Sequence, residues 1–161
     1  MPAKPNYYIY FTPFGPISIG ARGRFITAVE LGKAQLEGTF APSEATNRCA
    51  TQILQYLGEK RKGFDMPLAP AGTAFQKKVW AAVEKIPYGQ TRTASQVAAA
   101  AGAPDSARSV GTALRACPIA VLVPAHRVVR ANGYTRGEDK RARLGAACLA
   151  LEQRVVRQAK L

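Results

Sequence analysis

The chain holds one histidine, His126, and three cysteines, Cys49, Cys117 and Cys148, that form no close pair. That scarcity excludes a disulfide scaffold and leaves no His/Cys spacing that suits zinc, so neither a metal nor a cofactor is expected. Long apolar runs are missing too. Stretches such as Ile119–Val123 are far too short to span a bilayer. The opening Met1-Pro2-Ala3-Lys4-Pro5 is not followed by the apolar segment of a secretion signal. A soluble, cytoplasmic, monomeric protein without membrane association is the expectation.

Acidic residues are also few, ten against 23 Lys/Arg, for a formal net charge of +13. The imbalance is uneven. Residues 73–161 carry 15 Lys/Arg against five Asp/Glu, and residues 1–72 carry eight against five. A polyanionic partner for the C-terminal part follows, and nucleic acid is the commonest such partner.

What is present divides into two compositions. Tyr7–Thr12, Ile17–Ala21 and Phe25–Leu31 are β-rich runs split by Pro13-Phe14-Gly15-Pro16 and by Gly23. Ser43–Glu59 reads as a helix, with Ala50, Ile53, Leu54 and Leu57 on one face. Residues 64–72 read as a linker, between a domain over 1–63 and a second over 73–161. Thr73 and Gln76 have capping-box spacing, and Phe75, Val79, Trp80, Val83 and Ile86 form the buried face of the helix they start. Thr93–Ala101 and Ser106–Ala116 are short helices around Gly102-Ala103-Pro104-Asp105, a helix-turn-helix candidate. Val121–Val129 is strand-like apart from Pro124, and Glu138–Glu152 closes the chain as a basic helix. The fold class is α+β: a small N-terminal sheet-and-helix domain, then a mainly helical, winged-helix-like domain.

Four ordered segments carry a resemblance. They are Gly72-Thr73-Ala74-Phe75-Gln76-Lys77-Lys78-Val79-Trp80, Ile86-Pro87-Tyr88-Gly89-Gln90-Thr91, Ala107-Arg108-Ser109-Val110-Gly111 and Val123-Pro124-Ala125-His126-Arg127-Val128-Val129. Together they resemble the O6-alkylguanine-DNA alkyltransferases. The resemblance implies a helix-turn-helix in the DNA minor groove, with the damaged guanine flipped into a pocket at a cost of about a few kcal/mol. Ser106, Ala107, Ser109 and Gly111 then supply a small-residue contact face. Arg108 fills the gap left in the base stack, and Arg127 is a further DNA contact. Ala94, Val128 and Tyr134 are the expected lining of the lesion pocket.

The family's chemistry needs a cysteine thiolate, a histidine that takes its proton through water, and a glutamate that steers the histidine. His126 and Glu152 match the last two. Ala125 stands at the nucleophile position, and a methyl group has no lone pair to donate. Three further departures accompany it. Cys117 replaces the family's asparagine ahead of the conserved proline, Ala94 replaces a tyrosine that contacts the flipped nucleotide, and the loop after Val129 is short.

Three readings stay open on this basis. One is a non-catalytic binder of duplex DNA containing O6-alkylguanine, with nucleotide excision repair proteins as downstream partners. Another is a methylated-DNA–protein-cysteine methyltransferase whose acceptor has become Ala125, or which uses another thiol such as Cys117. The last is a DNA-binding regulatory remnant without lesion specificity.

Overall fold

The computed structural model describes residues 3–130 and 139–160. Two units emerge, one made of the residues up to Ala71 with Pro118–Ala120, the other of Gly72–Cys117 and the residues from Val121 onward.

The first unit is built on an antiparallel meander of β1 (Pro5–Thr12), β2 (Gly15–Arg22) and β3 (Phe25–Leu31). Ile19 at the centre of β2 faces Tyr8 on one side and Val29 on the other. A two-residue strand, β4 (Thr39–Phe40), runs parallel to β1 and completes the order β3-β2-β1-β4. Ile17–Ala21 are buried without alternation, as expected of a strand covered on both faces.

Helix α1 (Glu44–Leu57) packs on this sheet and is capped reciprocally by Ser43 and Thr46. Its buried residues are Thr46, Cys49, Ala50, Gln52, Ile53 and Tyr56. This corrects the expected face, because Leu54 is 43% exposed and Leu57 only half-buried. Polar partners account for the rotation. Tyr10 Oη donates to Thr46 Oγ1 at 2.8 Å, and Gln52 Nε2 donates to Asp65 Oδ1 at 2.6 Å, so both polar side chains enter the interior satisfied.

The expected linker, residues 64–72, is tied to β3 through Pro67 and Ala69. Ile26 N–H donates to Pro67 O, Ala69 N–H donates to Ile26 O, and Met66 is buried. Pro118–Ala120 lie along β3 in the same manner, with Val29 N–H on Pro118 O and Ala120 N–H on Val29 O.

The second unit is mainly helical. Helix α2 (Ala74–Glu84) starts with the Thr73–Gln76 capping box and buries Val79, Trp80 and Val83, whereas Phe75 is only half-buried. Strand β5 (Arg92–Thr93) leads into α3 (Ala94–Ala100), capped reciprocally by Thr93 and Gln96. Gly102, at φ +80°, lets the chain turn out of α3: Ala103 N–H reaches back to Ala98 O and Gly102 N–H to Ala99 O, closing the helix end. Helix α4 (Ala107–Ala116) follows. Trp80 Nε1 donates to Ala113 O at 2.8 Å, so a carbonyl in the last turn of α4 finds its partner on α2.

The strand expected over Val121–Val129 is corrected. Val121 takes φ +68°, Ala125–Arg127 form a 3-10 turn, and only β6 (Val128–Val129) is extended, parallel to β5. The apolar run reflects burial, which periodicity alone cannot separate from strand. Helix α5 (Lys140–Ala159) is capped by Asp139 and runs well past Glu152. Among the described residues no helix is long and apolar enough to cross a membrane. The fold is α+β.

Candidate functional site

Helix α4 is strongly two-faced. Val110, Gly111, Ala113 and Leu114 are buried, while Arg108, Ser109, Thr112, Arg115 and Ala116 are exposed. The outward face therefore carries two cations, small or hydroxyl side chains and no acid. Of the residues expected to contact DNA, Arg108 and Ser109 are exposed, and Ser106 and Ala107 are half-exposed at the helix start. Gly111 does not belong to that face: it is buried, which corrects its expected DNA contact. Thr112 and Arg115, which motif reading did not single out, share the exposed face at i+4 and i+7 from Arg108. Ser106 makes no side-chain cap, in contrast to Ser43, Thr73, Thr93 and Asp139, which cap the other four α-helices of the described residues. The first N–H groups of α4 thus lack the local acceptor that the other helices have.

The second element of the site is the 3-10 turn. Residues 119–129 are buried throughout except for half-buried Ala125. Ala125 N–H is spent on Val123 O at 2.8 Å, and Arg127 N–H on Pro124 O at 2.9 Å, which hold the turn closed. The group that Ala125 presents is its methyl.

Behind it lies a buried polar knot. Glu152 on α5 is wholly buried and accepts from four groups: Gly89 N–H at 2.9 Å, Arg127 Nε at 2.9 Å, Arg127 Nη2 at 3.0 Å and His126 Nε2 at 2.7 Å. A carboxylate so placed only accepts, so His126 carries its hydrogen on Nε2. Gly89 sits at φ +79°, and a Cβ there would run into Val156, so only glycine brings this N–H to the carboxylate.

Arg127 is 8% exposed and has no free face for a phosphate. Besides Glu152, its Nη1 donates to Ile86 O at 2.7 Å, and its guanidinium lies 5.6 Å from the Tyr88 ring centroid. The expected DNA contact at Arg127 is therefore corrected: burial and a full set of acceptors make it the clamp that joins the 3-10 turn to the 86–89 turn and to α5. His126 and Glu152, expected as relay partners, are brought together.

Ala94 and Val128 are both buried, on the strand-and-helix start formed by β5, β6 and α3. Tyr134 and most of the loop after Val129 lie outside the described residues. Cys49, Cys117 and Cys148 are all buried and unpaired by disulfide, and burial pushes the Cys49 thiol up to about 12. Among the described residues no three His, Cys, Asp or Glu side chains are grouped as a metal site.

Comparison with known proteins places these features. The family model described as 6-O-methylguanine DNA methyltransferase, DNA binding domain, matches residues 74–154. A methylated-DNA–protein-cysteine methyltransferase of Methanosarcina acetivorans is 40% identical over 136 residues, covering 81% of this chain and 87% of its own. The inducible enzyme of that name from Bacillus subtilis is 36% identical over 152 residues, covering 92% and 85%. The crystal structure of Mycobacterium tuberculosis OGT in complex with DNA superposes with a TM-score of 0.85 at 33% identity, covering 93% of this chain and 94% of that one. With more than half its length under the family model and relatives this similar along both units, the chain belongs to the 6-O-methylguanine-DNA methyltransferase family.

Proposed function

We propose that this protein binds duplex DNA containing O6-alkylguanine through the outward face of α4, holds the flipped lesion near Ala125, and transfers no alkyl group. The observation that carries the reading is the half-buried methyl of Ala125, presented beside an intact His126–Glu152 pair. Attack on an alkyl carbon needs an electron pair, and the methyl has none. None of the three cysteines is surface-accessible to replace it. The cationic face of α4 and its uncapped N-terminus suit phosphate and groove contacts. The mycobacterial relative solved in complex with DNA supports DNA binding by this chain. A lesion bound and not repaired in place has to be handed on, so this reading calls for excision repair proteins as partners.

The relatives named as methyltransferases favour a second reading, in which Ala125 is a lost acceptor in an otherwise competent enzyme. One experiment separates the two. The parent and Ala125→Cys are incubated with an O6-methylguanine duplex, and affinity and intact mass are measured. The binder reading expects tighter binding to the lesion duplex than to its unmodified twin, no mass gain in the parent, and at most slow methylation of Ala125→Cys. Rapid stoichiometric methylation after that single change supports the second reading, and equal affinity for both duplexes supports a DNA-binding remnant. Arg108→Ala should cost about 1–3 kcal/mol of lesion binding while changing the salt slope by about one at most. A fluorescent base analogue at the lesion should stay quenched with that variant. Arg157→Ala, on the exposed side of α5, serves as the charge control.

A further inference from the structure

The second unit has a concavity that the α4 face does not use. Between α2 and α3 lies a cleft of about 600 Å³, and no residue of α4 lines it. Its floor is methyl-rich, from Ala81 and Ala82 on one helix and Ala100 and Ala101 on the other, with Ile86 and Val97 beneath. Its rim carries Lys78, Lys85 and Arg92, and no Asp or Glu takes part in the lining. Arg92 is held in place, its Nη1 on Thr91 O at 2.8 Å and its Nη2 on Gln90 Oε1 at 3.1 Å.

We infer that this cleft docks an acidic amphipathic helix of another protein. Lys78, Ala81, Ala82 and Lys85 follow the i, i+3, i+4, i+7 stripe of one helix face, so the two lysines stand two turns apart, roughly 10 Å along α2. A partner helix bearing carboxylates seven residues apart, with apolar side chains between them, meets cations at both ends and methyls in the middle. The alanines on both walls allow the close axial approach that helix packing requires. Charge complementarity decides the sign of the partner, and the floor decides its class. A charged sugar-phosphate backbone gains little from a methyl-lined floor, whereas the apolar face of a helix in a groove fills it. Helix α4 packs on α2 and α3 through its buried residues, turns Arg108 and Arg115 outward, and lends no residue to the cleft. The inference goes beyond the DNA reading and holds or fails independently of it.

The test uses the full chain with alanine methyls labelled for NMR. The probe is a synthetic helical peptide with glutamate every seven residues and leucine three and four residues after each. The methyl signals of Ala81, Ala82, Ala100 and Ala101 should shift with peptide, and those of Ala107 and Ala116 on α4 should stay. The double substitution Lys78→Glu with Lys85→Glu should weaken binding at least about tenfold, as should Ala100→Leu, which fills the cleft from an exposed position. Arg157→Glu should leave binding unchanged. The proposal is overturned if a scrambled peptide of the same composition binds equally. It is overturned as well if duplex DNA displaces the peptide and shifts the same methyls, which would put the cleft in the nucleic-acid footprint, or if millimolar peptide moves none of them.

Discussion

Glu152→Ala removes the acceptor on which the 3-10 turn, the 86–89 turn and α5 converge. Four donors lose their partner, and two of them belong to the guanidinium of Arg127, a residue that is 8% exposed. Breaking one side of a buried ion pair costs about 3–5 kcal/mol, because the remaining charge stays in a medium that solvates it poorly. Against a total stability of about 5–15 kcal/mol that is a large share. At about 2–4 °C per kcal/mol for a chain of this size, the midpoint should fall by about 6–20 °C. Trp80 is the chain's one tryptophan and is buried in the second unit, so its fluorescence reports urea unfolding of that unit. Glu152→Gln keeps the shape and one acceptor oxygen and should lie between parent and alanine variant. Replacing both partners, Arg127→Met with Glu152→Leu, should recover part of the loss, since no charge is then stranded. The reasoning fails if Glu152→Ala costs less than about 1 kcal/mol. It fails equally if Arg127→Ala leaves stability intact but lowers the salt slope of DNA binding by about one, for then the guanidinium is a phosphate contact after all.

Four smaller outcomes follow from the same geometry. Trp80→Phe keeps most of the buried ring but strands Ala113 O, and should cost about 1–3 kcal/mol in urea unfolding followed by far-UV circular dichroism, because the variant has no tryptophan to report. Gly89→Ala puts a Cβ against Val156 at a left-handed backbone position and should cost more than roughly 1 kcal/mol, with disruption of the Glu152 site visible as shifted His126 and Arg127 signals in NMR. The three buried thiols should resist a disulfide reagent at neutral pH until denaturant is added, and fast labelling of any one of them in the native protein contradicts the burial. Because the Cys49 thiol stays protonated to about 12 in the fold but ionises near 9.0 when unfolded, its contribution to stability should be lost as pH rises through that window, measurable by denaturant titration at stepped alkaline pH.

The sequence by itself determined what local chemistry and covalent spacing control. The capping boxes at Thr73 and Thr93, the turn at Gly102 and the β runs at Tyr7 and Phe25 are written in neighbouring residues, because a cap or a turn is satisfied within a few positions. The exposed cation at Arg108 and the methyl at Ala125 were likewise legible, from ordered motifs. Other features needed the tertiary structure. Nothing local says that Arg127 faces Glu152, 25 residues away, and not a phosphate, because a basic residue next to a motif looks the same in either place. Nor does the sequence show that Thr46 and Gln52 go inside while Leu54 stays out, since that choice depends on hydroxyl and carboxylate partners on other elements. The run 121–129 is apolar because it is buried, and its left-handed Val121 and 3-10 turn are imposed by what surrounds it, a conformation that no β-branched propensity favours. Residues separated in the chain meet only once the fold exists, and the desolvation that makes their pairing obligatory belongs to the folded interior alone.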